Sequence, residues 1–311
     1  MKRESEYLLI LCGVFDDSYT PLTRAEFWKY YHNYGDSVTG IVESHEGRID
    51  KLLERSGSVT FAIETMSEMG IRITTFLEDS FPGMVYNRLG DFCPPLMYMA
   101  GEERLLMHRY AGYVGSRIIE EDDIKWTKMM VQKNISDGFG IVSGGAKGVD
   151  SISIGHALNE GGTAIAFLPD NIKTWIQDRY YREQIMNGRL LIYSHVSPFA
   201  RKTRTSFVAS AMERNKLIYA QSVATAVVRS DLNKGGTWAG ATEAIKHRWT
   251  PVFVWDNKSY AGNQRLIELG GIPIDDDGKK VEKKTDIPDD EKNVEPVQLS
   301  LFDNMFAGSV R

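Results

Sequence analysis

The 311 residues are 42% hydrophobic and 25% charged, an ordinary globular balance with ample surface to bury in one large domain or two smaller ones. The two cysteines, Cys12 and Cys93, stand far apart with no CxxC or Cys/His spacing. They indicate neither a zinc site nor a disulfide framework, and they fit a reducing, cytoplasmic setting. The formal net charge of −5 excludes a global positive field. Residues 275–297, however, hold nine acids and five bases, so residues 1–274 are close to neutral and phosphate binding would rest on a local basic patch.

The opening stretch, MKRESEYLLILCGVFDD, has a basic start and a short apolar run, but Asp16 and Asp17 follow with no small-residue cleavage site. It reads poorly as a signal peptide. No stretch approaches about 18 apolar residues, so no membrane partner is expected. Residues 1–75 read as a mostly helical N-terminal region, with aromatics over Glu26–Tyr34 and helically spaced apolar residues over Ile49–Met69. In residues 73–102, Pro82, Pro94 and Pro95 exclude a long helix, and the segment reads as an extended lead-in.

From Tyr110 onward, short apolar runs alternate with helix-length segments. The runs are Tyr110–Val114, Gly140–Ser143, Thr163–Leu168, Leu190–Tyr193, Ala224–Arg229 and Pro251–Trp255. Continuous apolar strands separated by helices predict a mostly parallel sheet covered on both faces, a doubly wound, Rossmann-like α/β domain over 76–274. After Ile274 the composition turns charged and nearly loses large apolar residues. Residues 275–296 are expected to form a flexible linker, with a root-mean-square reach of about 25 Å on random-coil scaling. Residues 297–311 follow as a tail with an apolar island, Gln298-Leu299-Ser300-Leu301-Phe302.

Three glycine-bearing loops each follow a strand. The first is Gly115-Ser116-Arg117. A strand–Gly–helix junction turns backbone N–H groups toward an anion, and Arg117 can pair with a phosphate. The second is Ser143-Gly144-Gly145-Ala146-Lys147-Gly148-Val149-Asp150. Its glycines let the backbone approach a phosphate, Lys147 adds a mobile charge, and Asp150 reads as a cap or polar brace. It matches neither the Walker A spacing nor GxGxxG, and His156 in the following helix reads as structural. The third is Lys234-Gly235-Gly236-Thr237, ahead of the helical stretch Ala239–His247. Between the second and third lies a dense basic cluster, Arg201-Lys202-Thr203-Arg204 and then Arg214-Asn215-Lys216. In an open parallel sheet such loops gather at the carboxyl edge of the strands. No metal-ligand cluster, nucleophile–base pair or cofactor motif is recognisable, so no enzyme activity, metal or cofactor is expected.

In this order the motifs resemble the DprA/Smf family of DNA-processing proteins, over about Ile73 to Ile274. FLEDSFPGMVYNRLGDFCPPLMYMAGE resembles the family's lead-in, and VGSR at 114–117 its first loop. SGGAKGVDSISIGHAL at 143–158 is similar to the SGxAxGID signature, and GGTAIAFLP at 161–169 to the strand that follows it. Phe207 with ERNKLIYAQS at 213–222 resembles the F…RNR-I motif, and NKGGTWAGATEAIKHRWTPVFVW at 233–255 the last loop, helix and strand. Lys147 stands where the family usually has arginine, Lys216 replaces the last arginine of RNR, and KGGTW replaces SGSL. The family's frequent C-terminal winged helix has no counterpart.

The resemblance implies an extended Rossmann fold, sequence-tolerant single-stranded DNA binding, self-association as a homodimer, and help in loading recombinase, with roles in recombination or DNA uptake. It makes Arg117, Lys147, Arg214 and Lys216 the DNA-facing bases. QLSLF at 298–302 resembles the bacterial sliding-clamp-binding motif: Leu299, Leu301 and Phe302 fill apolar pockets and Gln298 hydrogen-bonds. Two alternatives stay open. One is a nucleoside monophosphate hydrolase using Gly235, Gly236 and Glu243; the other is a sensor of a nucleotide-derived signal.

Overall fold

A computed structural model describes residues 2–15, 19–200 and 203–281. Five helices come first: α1 (Arg3–Cys12), α2 (Arg24–Asn33), α3 (Val38–Glu43), α4 (Gly47–Leu53) and α5 (Ser56–Glu68). The sheet domain then runs β1 (Arg72–Thr75), α6 (Gly83–Leu89), β2 (Leu96–Ala100), β3 (Tyr110–Val114), α7 (Glu121–Ser136), β4 (Gly140–Ser143), α8 (Val149–Asn159) and β5 (Ala164–Leu168). It continues through α9 (Lys173–Gln177), α10 (Arg179–Met186), β6 (Leu190–Ser194), α11 (Arg204–Gln221), β7 (Ala224–Val227), α12 (Gly235–His247), β8 (Val252–Trp255), α13 (Ala261–Glu268) and β9 (Ile272–Ile274).

The nine strands form one sheet in the order β1-β2-β6-β5-β4-β3-β7-β8-β9. All pairs from β6 to β9 are parallel, while β1–β2 and β2–β6 are antiparallel. The chain winds outward from β3 to β6, then returns through α11 and winds the other way from β7 to β9. The order therefore reverses between β3 and β7, and a crevice opens there at the carboxyl ends of the strands.

Side chains alternate along the strands and feed two cores. Tyr110, Val142, Val227 and Val254 join the face covered by α11 and α12. Tyr113, Ile141, Ala226 and Phe253 join the face that holds Trp126 and Met130 of α7. The N-terminal helices share the first of these cores: Leu8, Leu9 and Phe27 are fully buried in the same cluster as Tyr98 and Tyr193. Burial of this shared apolar seam stabilises the helical region against the sheet.

Two boundaries differ from expectation. The sheet begins at Arg72, because Arg72–Thr75 pairs antiparallel with Met99–Leu96. At the other end, residues 275–281 belong to the fold and not to a linker. Asp275 Oδ1 accepts from the backbone N–H of Asp277 and Lys279. The indole N–H groups of Trp126 and Trp255 donate to Asp275 O and Asp276 Oδ1. Those bonds fix a charged segment that composition alone marks as unordered. No described helix is long and apolar enough to cross a membrane.

Candidate nucleic-acid interface

The first two glycine loops dock backbone to backbone. Val149 N donates to Ser116 O (3.3 Å), and Gly148 sits at φ +92° with a Cβ site only 2.3 Å from the same carbonyl. Gly115 packs on Val149, where a Cβ would meet Cγ2 at 2.4 Å. Ser116 Oγ accepts from Ile118 N (3.0 Å), which tightens the turn. Arg117 and Lys147 emerge from these two loops exposed to solvent.

Beneath the second loop lies a buried ion pair. Arg214, only 3% exposed, donates from Nη1 to Asp150 Oδ2 (3.3 Å) and to Phe167 O (3.2 Å). A Cβ on Gly144 would sit 1.3 Å from that nitrogen, so only glycine lets the guanidinium lie against the loop. Asp150 also accepts from Ala146 N (3.4 Å). Burial pushes the Asp150 carboxyl up, and the Arg214 guanidinium opposes that shift. The pair braces the loop from below, as a buried charge requires a partner.

The third loop is tied to α11, whose Asn215 Nδ2 donates to Gly236 O (3.0 Å). Gly235 has φ +83°, and residues 235–237 form the first turn of α12, whose free N–H groups suit an anion. Gly115–Arg117, Asn215 and Gly235–Thr237 together line one cleft of about 550 Å³ at the strand-order reversal. A smaller hollow of about 270 Å³, bordered by Gly145, Lys147 and Trp175, adjoins it across Arg117, Ala146 and Phe207. Trp175 is held in place by stacking on Tyr181 (3.8 Å between ring centres).

Most of the residues singled out from sequence thus meet at one place. Gly115, Ser116, Arg117, Gly145, Lys147, Asn215, Gly235, Gly236 and Thr237 line the two hollows. Ser143, Gly144 and Gly148 are buried behind them; Ser143 Oγ donates to Tyr113 O (2.6 Å). Two bases sit otherwise than expected. Arg214 lines the cleft but is only 3% exposed, its guanidinium held inward by Asp150 and Phe167 O. Lys216 is on another side of α11, bonded to Glu243 Oε1 (2.6 Å) and lying over the Phe92 ring (5.1 Å). Residues two apart on a helix diverge by about 200°, so Arg214 and Lys216 cannot serve one cleft. The same ion pair occupies Glu243, which does not line the cleft.

Arg204 of the basic cluster, Lys234 of the third loop and Phe207 of the family motif also reach the cleft. Arg204 and Phe207, at i and i+3 on α11, border it, with Lys234 on the facing rim. The signal was present: Thr203 caps α11, its Oγ1 accepting from Ser206 N (3.1 Å), and i, i+3 residues share a helix face. Arg204 and Lys234 are exposed and, like Arg117 and Lys147, make no ion pair within the described residues. Arg229 is neutralised by Glu120 (2.8 Å) and Asp123 (3.1 Å). Ile118 (81% exposed) and Val208 (58% exposed) add apolar surface at the mouth. Among the described residues no group of three or more His, Cys, Asp or Glu could hold a metal ion. Gln298–Phe302, and Arg201 and Lys202, lie outside the described residues.

The family model for DNA recombination-mediator protein A matches residues 72–283. Protein Smf from a Synechocystis species is 30% identical over 213 residues, covering 60% of this chain and 52% of that protein. The chain therefore spans about half the length of the curated relative it matches. The X-ray structure of DNA processing protein A from Streptococcus pneumoniae superposes with a TM-score of 0.61 at 20% identity, covering 82% of this chain and 95% of that one. DNA processing protein A from Helicobacter pylori, solved for its single-stranded DNA binding mode, superposes with a TM-score of 0.53 at 25% identity, covering 66% and 92%.

Proposed function

Because this chain belongs to the DNA recombination-mediator protein A family, the DprA/Smf proteins, we propose that it binds single-stranded DNA along the cleft at the strand-order reversal, in the service of DNA processing and recombination. One observation carries the reading: three glycine loops meet there and, with the start of α11, present Arg117, Lys147, Lys234 and Arg204, four exposed cations, beside Phe207 and Trp175. Backbone N–H groups and cations hold phosphates, while flat and apolar side chains receive bases of any sequence. A chain of net charge −5 with a local cation cluster binds through the cleft and not through its overall field. Family membership extends the proposal to self-association and to loading of recombinase onto the bound strand.

The expected result is tight binding of oligothymidylate and much weaker binding of nucleoside monophosphates, with both recovered intact. Titration against both ligands, followed by chromatography of the mixtures, checks it. Hydrolysis of a monophosphate that disappears in Glu243→Gln would establish the hydrolase instead. Saturable binding of one nucleotide without DNA binding would establish the sensor.

We propose, separately, that QLSLF docks on the sliding clamp. A five-residue ligand buries little area and pays for its own ordering, so the isolated contact is weak, and simultaneous DNA contact strengthens it through local concentration. Replacing Leu301 and Phe302 by alanine is expected to abolish clamp capture and leave single-stranded DNA affinity unchanged. Retained capture in a pull-down with purified clamp refutes the tether.

A further inference from the structure

A second cavity lies away from the cleft, on another side of α11. It measures about 380 Å³ and is walled on one side by the N-terminal region (Val14, Leu22, Ala25) and on the other by the sheet domain (Pro94, Leu96, Leu217). Small-molecule sites span about 300–1000 Å³ and are mostly apolar with a few placed polar groups. This cavity falls at the lower end of that range, the size of a small ligand.

Polar side chains interrupt the apolar walls: Arg24, Glu213 and His195, with the hydroxyl-bearing Thr23, Tyr98 and Ser197. Arg24 and Glu213 face each other across the two parts of the molecule at 3.5 Å, so their charges offset. Arg24 also donates to Asp91 O (3.1 Å). His195 follows β6 and has its Nδ1 sealed from solvent with no hydrogen-bond partner among the described residues. Burial, with the Arg214 and Arg24 guanidiniums nearby, holds its imidazole down to about 4, so it is neutral at physiological pH. A neutral imidazole offers one donor and one acceptor. The cavity therefore combines apolar walls with donors and acceptors whose charges offset. A phosphate would meet Glu213, and a cation would meet Arg24; a neutral planar heterocycle with its own donor–acceptor edge meets neither penalty.

We propose that this cavity between the N-terminal helices and the sheet binds a nucleobase, with Pro94, Leu96 and Leu217 against its faces and His195, Glu213 and Arg24 toward its edge. The site shares no lining residue with the DNA cleft, so it stands whether or not that cleft binds DNA. The base has two sources, a free nucleoside or a base of a bound strand.

The test is calorimetric titration of the full chain with adenosine, guanosine, cytidine and thymidine, with ribose 5-phosphate as the control. At least one nucleoside is expected to bind, and ribose 5-phosphate is not. Ala25→Trp, a change at an exposed position of the mouth, and His195→Phe are each expected to weaken that binding at least tenfold. Displacement of the nucleoside by oligothymidylate assigns the base to the strand. Simultaneous binding assigns it to a free nucleoside. No binding by any nucleoside at millimolar concentration overturns the proposal, as does binding that both variants leave unchanged.

Discussion

Replacing Arg214 by methionine is expected to destabilise the protein by about 3–5 kcal/mol, the cost of stripping one partner from a buried ion pair. That is a large part of the roughly 5–15 kcal/mol that holds a typical domain. The substitution leaves Asp150 buried without its cation, and the loss depends on pH. Burial already raises the Asp150 carboxyl and Arg214 opposes the shift, so removing Arg214 raises it further. The folded variant then keeps a proton that the unfolded chain releases near pH 3.9. Stability from that proton is fully present below the unfolded value and is lost as pH rises through the folded one. Urea denaturation should therefore show Arg214→Met less impaired at pH 5 than at pH 8. Adding Asp150→Asn should remove the pH slope and restore part of the stability. A loss under about 1 kcal/mol, equal at both pH values, would contradict the brace.

Gly148→Ala is expected to cost about 2–5 kcal/mol, from the left-handed backbone and from overpacking against atoms that cannot move aside. The Cβ site lies 2.3 Å from Ser116 O and 2.8 Å from Arg117 Cα, both backbone. The new methyl pushes the first loop off the second, so single-stranded DNA affinity should fall along with the melting temperature. Gly235→Ala provides the contrast. Gly235 also has positive φ, but its Cβ site meets nothing within 4 Å. Its cost should stay at about 1–2 kcal/mol, the backbone part alone. Equal losses at the two positions in thermal melts would show that loop docking does not matter.

The parallel strands from β3 to β8 were legible because each is a short, mostly apolar run between helix-length segments; Ala164–Leu168 is buried at every position. The edges were not. Leu96–Ala100 follows two prolines, and nothing local announces that it pairs antiparallel with β6. Ile272–Ile274 is only three residues long and carries Pro273, which an edge strand tolerates. The glycine loops were legible one by one, and the strand order brings them together at one cleft. The fate of a charge was the least legible feature. Arg214 reads as one more surface base until the fold sets Asp150, 64 residues earlier in the chain, against it. Lys216 could have been separated from it by helical period alone. Arg204 and Phe207 were visible as residues but not as a pair, because their shared face matters only once α11 borders the cleft.

The central claim, that Arg117 and Lys147 hold the phosphates of a single strand, is tested most directly by the salt dependence of oligothymidylate binding. Each phosphate contact on a single strand contributes about 0.7 to the slope of log affinity against log salt. Fluorescence anisotropy should show Arg117→Ala/Lys147→Ala binding more weakly at every salt concentration, with a slope shallower by about 1.4. Lys216→Ala, whose ammonium is bonded to Glu243 outside the cleft, should keep the wild-type slope. A double variant with wild-type affinity and slope, or a slope that flattens only in Lys216→Ala, would contradict the account.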